Sequence, residues 1–159
     1  MDRSYNKIHV IADSSPSAQA AKRSLTKKYK NYSMNDSDVF IVLGGDGFML
    51  ATLKKYQKYE IPFYGMNKGN RGFLLNKFNE KDLINKINKA DIAELHPLEM
   101  YAKNKNGKIK KAIAINEVSV FRETRQAAKL EIKIDNKLRM KEIVCDGTLV
   151  ATQIGRAHV

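Results

Sequence analysis

The chain has 159 residues, of which 43% are hydrophobic and 29% are charged, and its formal net charge is +12. This composition is typical of a soluble globular protein of one or two domains and excludes disorder as the main state. No apolar stretch approaches the roughly eighteen residues of a membrane span, so we expect no membrane partner. The single cysteine, Cys145, excludes an internal disulfide, and the N-terminus lacks the apolar region of an export signal. We therefore expect a cytoplasmic protein.

The positive charge is carried mainly by lysine, with 22 lysines against 7 arginines. An excess of positive charge attracts anions, which include nucleic acid, anionic lipid and nucleotide phosphates. Base recognition favours arginine, and no block or tail of this chain concentrates the charge. We therefore expect solvated lysines on outer faces and no nucleic-acid partner. The three histidines and one cysteine are scattered, so the sequence predicts no metal site built from the protein.

Strand-type and helix-type patterns alternate over residues 1–90, which predicts an α/β domain with a Rossmann-like parallel sheet. The uninterrupted apolar run at 39–43 is typical of a central parallel strand that is covered on both faces. The predicted elements, in chain order, are a strand at 7–12, a helix that starts within 13–16 with a serine cap and Pro16 in its first turn, the strand at 39–43, a helix after Gly47, a strand at 62–66 and a helix capped by Asn79.

The pattern changes near residue 91, where helical periodicity stops and short strand-type segments follow. Residues 104–107, with the sequence Asn-Lys-Asn-Gly, predict a hairpin turn between strands at 98–103 and 109–115. We expect the first part of an all-β domain at 91–153. Its further predicted strands are at 118–121, 129–134 and 140–144.

The turn Gly44-Gly45-Asp46-Gly47 follows a buried strand and precedes a helix, at the sheet edge where ligands bind in α/β folds. Glycines allow backbone N–H groups to converge on a phosphate at a helix N-terminus. A carboxylate there repels phosphate unless it holds a metal ion or takes a proton from a nucleophile, which suggests phosphoryl transfer to a hydroxyl. These residues alone also fit an ordinary strand-to-helix turn, so both interpretations stay open.

Residues 43–50 resemble the Gly-Gly-Asp-Gly signature of the NAD kinase family, which diacylglycerol kinases and 6-phosphofructokinases share. Four further segments distinguish among these families. They are a second glycine loop at 65–74, an Asn-Glu motif at 116–119, the segment 124–130, and the opening of a third glycine motif at 145–152. The segments occur in the family's order and cover nearly the whole chain to Thr152.

This resemblance implies an α/β domain followed by a β-sandwich-like domain, with the site between them. It also implies transfer of the γ-phosphate of ATP, or in some members of polyphosphate, to the 2′-hydroxyl of the adenosine ribose of NAD. The product is NADP. The expected cofactor is Mg²⁺ or another divalent ion with ATP, and the expected full-length assembly is a homo-oligomer.

The resemblance also implies roles for individual residues. Asp46 is the expected catalytic carboxylate. The expected NAD-binding residues are Asp46, Gly47, Asn116, Glu117, Asp146, Ala151 and Thr152, and the expected phosphate loop is Gly44, Gly45 and Gly47.

Without the resemblance, some of these residues have plainer interpretations. The pair Asn116-Glu117 can be a turn with a solvated carboxylate, and Asp146-Gly147 can be a hairpin turn. The glycines of the second loop can form a tight connection that lets Phe73 and Leu74 reach the core.

The sequence departs from the family after Thr152, where it lacks the expected Ser/Thr-rich continuation. Residues 154–159 match one reading frame of a common sequencing adapter, so we expect them to be a non-native tail. A chain truncated in this way is expected to have little or no activity. The alternatives are another kinase with the Gly-Gly-Asp-Gly turn, acting on a lipid or sugar phosphate, and a non-catalytic nucleotide-binding fragment.

Overall fold

The structure, a computed structural model, describes residues 4–70 and 72–156. The chain divides into two compact units, of which the first ends at Glu94 and the second begins at Leu95. Within the described residues, no helix combines the length and the apolar character needed to cross a lipid bilayer.

The first unit is an α/β unit built on a four-stranded parallel sheet with the strand order β1-β2-β3-β4. Strands and helices alternate through most of this unit, so the predicted α/β class with a parallel sheet is confirmed. Its elements are β1 (Ile8–Ala12), α1 (Pro16–Lys28), β2 (Val39–Gly44), α2 (Asp46–Tyr56), β3 (Phe63–Asn67), β4 (Asn76–Lys77) and α3 (Leu83–Asn88).

Strand β2 is buried along its whole length, as its apolar run predicts. Its alternate residues Val39, Ile41 and Leu43 belong to a core cluster that includes side chains of α1 and α3. Phe40 points to the opposite face, because side chains alternate along a strand. There its ring makes edge contacts with the ring of Tyr56 at the end of α2. The sheet is therefore covered on both faces at β2, and burial of this apolar surface is the main source of its stability.

The start of α1 follows the prediction and the start of α3 does not. The hydroxyl of Ser15 caps α1 by accepting the N–H of Ala18, with Pro16 as the first helical residue. The prediction that Asn79 caps α3 is wrong, because the cap position is Asp82, with φ 54°. The Asn79 side chain instead accepts the N–H of Lys81, a local turn that competes with helix formation.

The second unit is made of antiparallel strand pairs, as expected from the change of pattern near residue 91. The pairs are β5–β6, β7–β10 and β8–β9. Its elements are β5 (Leu98–Lys103), β6 (Ile109–Ala114), β7 (Glu117–Phe121), β8 (Ala128–Ile134), β9 (Lys137–Cys145), β10 (Gly147–Ala151) and the short helix α4 (Gln153–Arg156). The predicted hairpin at 104–107 is confirmed, with Gly107 at φ +80° in the turn.

The interpretation of Asp146-Gly147 as a hairpin turn is wrong. Strand β10 pairs with β7, whereas β9 pairs with β8, so the two residues connect different strand pairs.

Apolar side chains are distributed differently in the two units. Every hydrophobic side chain that is fully buried in the described residues lies between Ile8 and Ile87. The second unit instead exposes large apolar side chains, including Phe121 at 73% and Val144 at 62%.

Candidate nucleotide site

Three strands of the first unit end at the same edge of the sheet. Gly44 at the end of β2 is in register with Asn67 at the end of β3. The next residue, Lys68, donates its N–H to the carbonyl of Gly44 at 2.8 Å, and Asp13 after β1 donates its N–H to Leu43 at 2.9 Å. These bonds hold the loops that leave the sheet close to the glycine-rich turn at 44–47.

Asp46 is the first residue of α2, directly after the N-cap residue Gly45. A carboxylate in the first turn is favoured by the positive end of the helix dipole. Both of its oxygens accept backbone hydrogen bonds from the end of the second glycine loop at 65–74. Oδ2 accepts the N–H of Phe73 at 2.8 Å, and Oδ1 accepts the N–H of Leu74 at 3.1 Å. The sequence did not predict this contact, because its donors are backbone N–H groups, which every non-proline residue has.

The glycines of the turn differ in the space around them. A Cβ added at Gly45 or Gly47 would meet no atom of the described residues within 4 Å. A Cβ at Gly69 would lie 3.3 Å from the Cα of Gly45, so the second loop lies directly against the turn. The turn is thus backed by this loop on one side and open at the Cβ positions of Gly45 and Gly47. The N-cap residue Gly45 has no side chain to bond the first N–H groups of α2.

The second glycine loop is held by Asn67 and does not bring Phe73 to the core. The Asn67 side-chain oxygen accepts the N–H of Gly69 at 2.7 Å. Phe73 is 87% exposed, so the interpretation that the glycines let this ring reach the core is wrong. The intervening Arg71 lies outside the described residues.

Four candidate residues of the second unit are neighbours at one end of the β7–β10 pair. Glu117 is in register with Ala151. Thr152 donates its N–H to the carbonyl of Asn116 at 2.7 Å, and its hydroxyl donates to the carbonyl of Ile115 at 2.6 Å. The side-chain oxygen of Asn116 is buried and has no hydrogen-bond partner among the described residues. A buried amide oxygen without a partner carries a desolvation cost that a donor on a ligand could remove.

Asp146 lies at the other end of the same strand pair, next to Gly147, which is in register with Phe121. Asp146 is therefore five residues along the ladder from the level of Glu117, or roughly 16 Å at about 3.3 Å per residue. The carboxylate of Asp146 forms an ion pair with Arg122, whose N–H also donates to the carbonyl of Asp146 at 2.8 Å. The sequence did not identify Arg122 as the partner of this carboxylate.

Residues 4–70 and 72–156 contain no group of three or more His, Cys, Asp or Glu side chains placed to hold a metal ion.

A parallel sheet with helices on both faces and an acidic, glycine-rich turn at its carboxyl edge define a doubly wound α/β protein, a class that binds ligands at this edge. Residues 3–92 match the family model described as the ATP-NAD kinase N-terminal domain. The match covers more than half of the chain, which therefore belongs to the NAD kinase family.

Curated relatives extend this similarity beyond the first unit. The chain is 43% identical to a NAD kinase of Rickettsia typhi over 150 residues, which are 94% of this chain and 59% of the relative. It is 47% identical to a NAD kinase of Caulobacter vibrioides over 140 residues, which are 88% of this chain and 54% of the relative. The chain thus spans less than two thirds of the length of these relatives.

A solved structure of yeast NADH kinase, in complex with NADH, shares the fold with a TM-score of 0.77. The similarity covers 96% of this chain and 59% of that chain, at 18% sequence identity. At this identity the likeness concerns the fold alone.

Proposed function

We propose that the full-length protein is an NAD kinase, which transfers the γ-phosphate of ATP to the 2′-hydroxyl of the adenosine ribose of NAD. The observation that carries the proposal is the position of the Asp46 carboxylate. Asp46 is the first residue of α2, and the backbone N–H groups of Phe73 and Leu74 hold its carboxylate. Family membership supports the choice of NAD and ATP among the possible substrates.

In the proposed reaction, Asp46 accepts the proton of the 2′-hydroxyl while the hydroxyl oxygen attacks the γ-phosphorus. A carboxylate has about four lone-pair positions, and the two N–H groups of the loop occupy two of them, so others are left for the hydroxyl. The bond between the γ-phosphorus and the bridging oxygen breaks, and ADP leaves with that oxygen. Catalysis of this kind depends on positioning and on charge stabilisation.

We propose that Gly44, Gly45 and Gly47 form the phosphate loop. The open space around the added Cβ positions of Gly45 and Gly47 supports close approach of a ligand to this backbone. The N-terminal N–H groups of α2 are suited to bind phosphate oxygens. We treat Mg²⁺, or another divalent ion, as part of the ATP substrate, since triphosphate oxygens are ligands that this ion prefers.

We propose that NAD is contacted by Asp46, Gly47, Asn116, Glu117, Asp146, Ala151 and Thr152. The buried oxygen of Asn116 supports a polar ligand near the start of β7. Asp146 is the least supported member, because Arg122 already pairs with its carboxylate.

We further propose a homo-oligomeric full-length protein in the cytoplasm. The second unit exposes apolar side chains such as Phe121, and a second copy of the protein could cover them. Light scattering, which gives the mass of the assembly, tests this.

The test is phosphoryl transfer by the full-length gene product, measured with ATP and with polyphosphate as donors. NAD, diacylglycerol and fructose 6-phosphate are offered in parallel as acceptors. We expect NADP to form and the other two acceptors to remain unmodified. Transfer to the lipid or the sugar phosphate in preference to NAD would favour the related kinases, and nucleotide binding without any transfer would favour a non-catalytic module.

A further inference from the structure

The Asp46 carboxylate is fixed at two points by neighbouring backbone groups of one loop. Phe73 binds one oxygen and Leu74 binds the other, at 2.8 and 3.1 Å. A carboxylate bound through both oxygens cannot rotate about its Cβ–Cγ bond without breaking a hydrogen bond. The direction of its remaining lone pairs therefore depends on where this loop lies.

Gly72 directly precedes Phe73 and Leu74, and a side chain at this position would press on the Asp46 carboxylate. A Cβ added at Gly72 would lie 2.7 Å from Oδ1 of Asp46 and 3.3 Å from the Nδ2 of Asn67. A separation of 2.7 Å is shorter than real Cβ atoms show, so an atom must move. The atom in the way is the end of a side chain, which moves more easily than backbone, and it is the carboxylate oxygen itself.

We propose that Gly72 is a positioning residue for phosphoryl transfer, an inference that rests on the proposed role of Asp46. Its missing side chain lets the second glycine loop lie against Asp46, and the loop then directs the carboxylate through the N–H groups of Phe73 and Leu74. Alanine at this position displaces Oδ1 by more than half an ångström to reach ordinary contact distance.

Other glycines of the unit have neighbours of a different kind. A Cβ at Gly44 would meet the ring of Phe48, and one at Gly65 would meet the side chain of Leu75. In both cases the added Cβ would press on an apolar side chain and not on the carboxylate. Of these three glycines, Gly72 is the one whose added Cβ would press on the Asp46 carboxylate.

The test is a double-mutant cycle with Gly72→Ala and Asp46→Asn in the full-length protein. The three variants and the parent are compared by kcat, by the Kd for NAD from calorimetry and by Tm. We expect Gly72→Ala to lower kcat about 10²-fold, the size of effect known for small misplacements of a reacting group, with a much smaller change in Kd. In the Asp46→Asn background, adding Gly72→Ala should lower kcat no further, because the group that it displaces is already absent.

Ile87→Val is the control for stability, since it shortens a buried side chain on α3 and lowers Tm without touching the loop. Its kcat should equal that of the parent. The positioning role is refuted if Gly72→Ala keeps the parent kcat, or if the losses of the two substitutions multiply in the double variant. A normal kcat for Asp46→Asn alone would instead overturn the proposed function, so the two failures are distinguishable.

Discussion

The backbone of Tyr5 and the side-chain amide of Asn88 exchange two hydrogen bonds across 83 positions of the chain. The Tyr5 N–H donates to the Asn88 oxygen at 2.6 Å, and the Asn88 amide donates to the Tyr5 carbonyl at 3.1 Å. The segment before β1 is thereby attached to the last turn of α3. This attachment joins the start of the α/β unit to its last helix.

Replacing Asn88 by alanine is expected to destabilise the protein by about 3 kcal/mol, since its side chain makes three hydrogen bonds, two with Tyr5 and one to the carbonyl of Ile84, and each contributes roughly 1 kcal/mol net. Asn85→Ala is the matched control, because Asn85 lies on the same helix but is exposed, and its side chain bonds only the Asp82 side chain. Urea unfolding should place Asn85→Ala close to the parent and Asn88→Ala well below both. Equal stabilities for the three proteins would show that the contact contributes nothing.

The apolar run at 39–43 should dominate the stability of the α/β unit. Ile41 is fully buried in β2, so Ile41→Ala is expected to cost about 2–5 kcal/mol through lost burial and the cavity left behind. The same substitution at Ile92, which is 52% exposed, should cost less than about 0.5 kcal/mol. Denaturant midpoints of the two variants give the comparison, and similar losses at the two sites would contradict the assignment of the core.

Tyr64 should make the protein less stable at high pH. Burial raises the pKa of Tyr64 above its ordinary value, because burial disfavours the phenolate. The folded state then holds the phenol proton at pH values where the unfolded state releases it. The stabilising contribution is complete below about pH 10 and is lost as the pH rises through the folded-state pKa.

The Tyr64→Phe variant cannot ionise at this position, so it should lose less stability than the parent between pH 8 and pH 11. Urea midpoints measured for both proteins at the two pH values test this. The same alkaline loss in both proteins would be inconsistent with a role for this phenol.

Strands β1, β2 and β3 of the α/β unit were predictable because their patterns are local, whereas the two-residue strand β4 was not predicted. The buried run of β2 and the cap at Ser15 each depend on residues within a few positions. The start of α3 was mispredicted at Asn79, because an asparagine turn and a helix cap require the same residue type. The strand β10 was missed because its partner, β7, lies about thirty residues earlier rather than next to it.

The candidate site was predictable only in part, for the same reason. The residues of the turn at 44–47 were identified from adjacent glycines and one acid. The hydrogen bonds from Phe73 and Leu74 to Asp46 span 27 and 28 positions, and they run through backbone N–H groups that every non-proline residue has. The residue types at positions 73 and 74 therefore do not indicate these hydrogen bonds. The roles given to Asn116, Glu117, Asp146, Ala151 and Thr152 stay predictions.

The turnover of an Asp46→Asn variant of the full-length protein tests the central claim most directly. Asp13→Asn is its control, since Asp13 follows β1 at the same sheet edge and its side chain accepts the N–H of Ser15, which an asparagine oxygen also does. We expect Asp46→Asn to bind NAD and to lose about 10²–10⁴-fold in kcat, the usual contribution of a general base, while Asp13→Asn stays near the parent value. Near-normal turnover of Asp46→Asn would contradict the account.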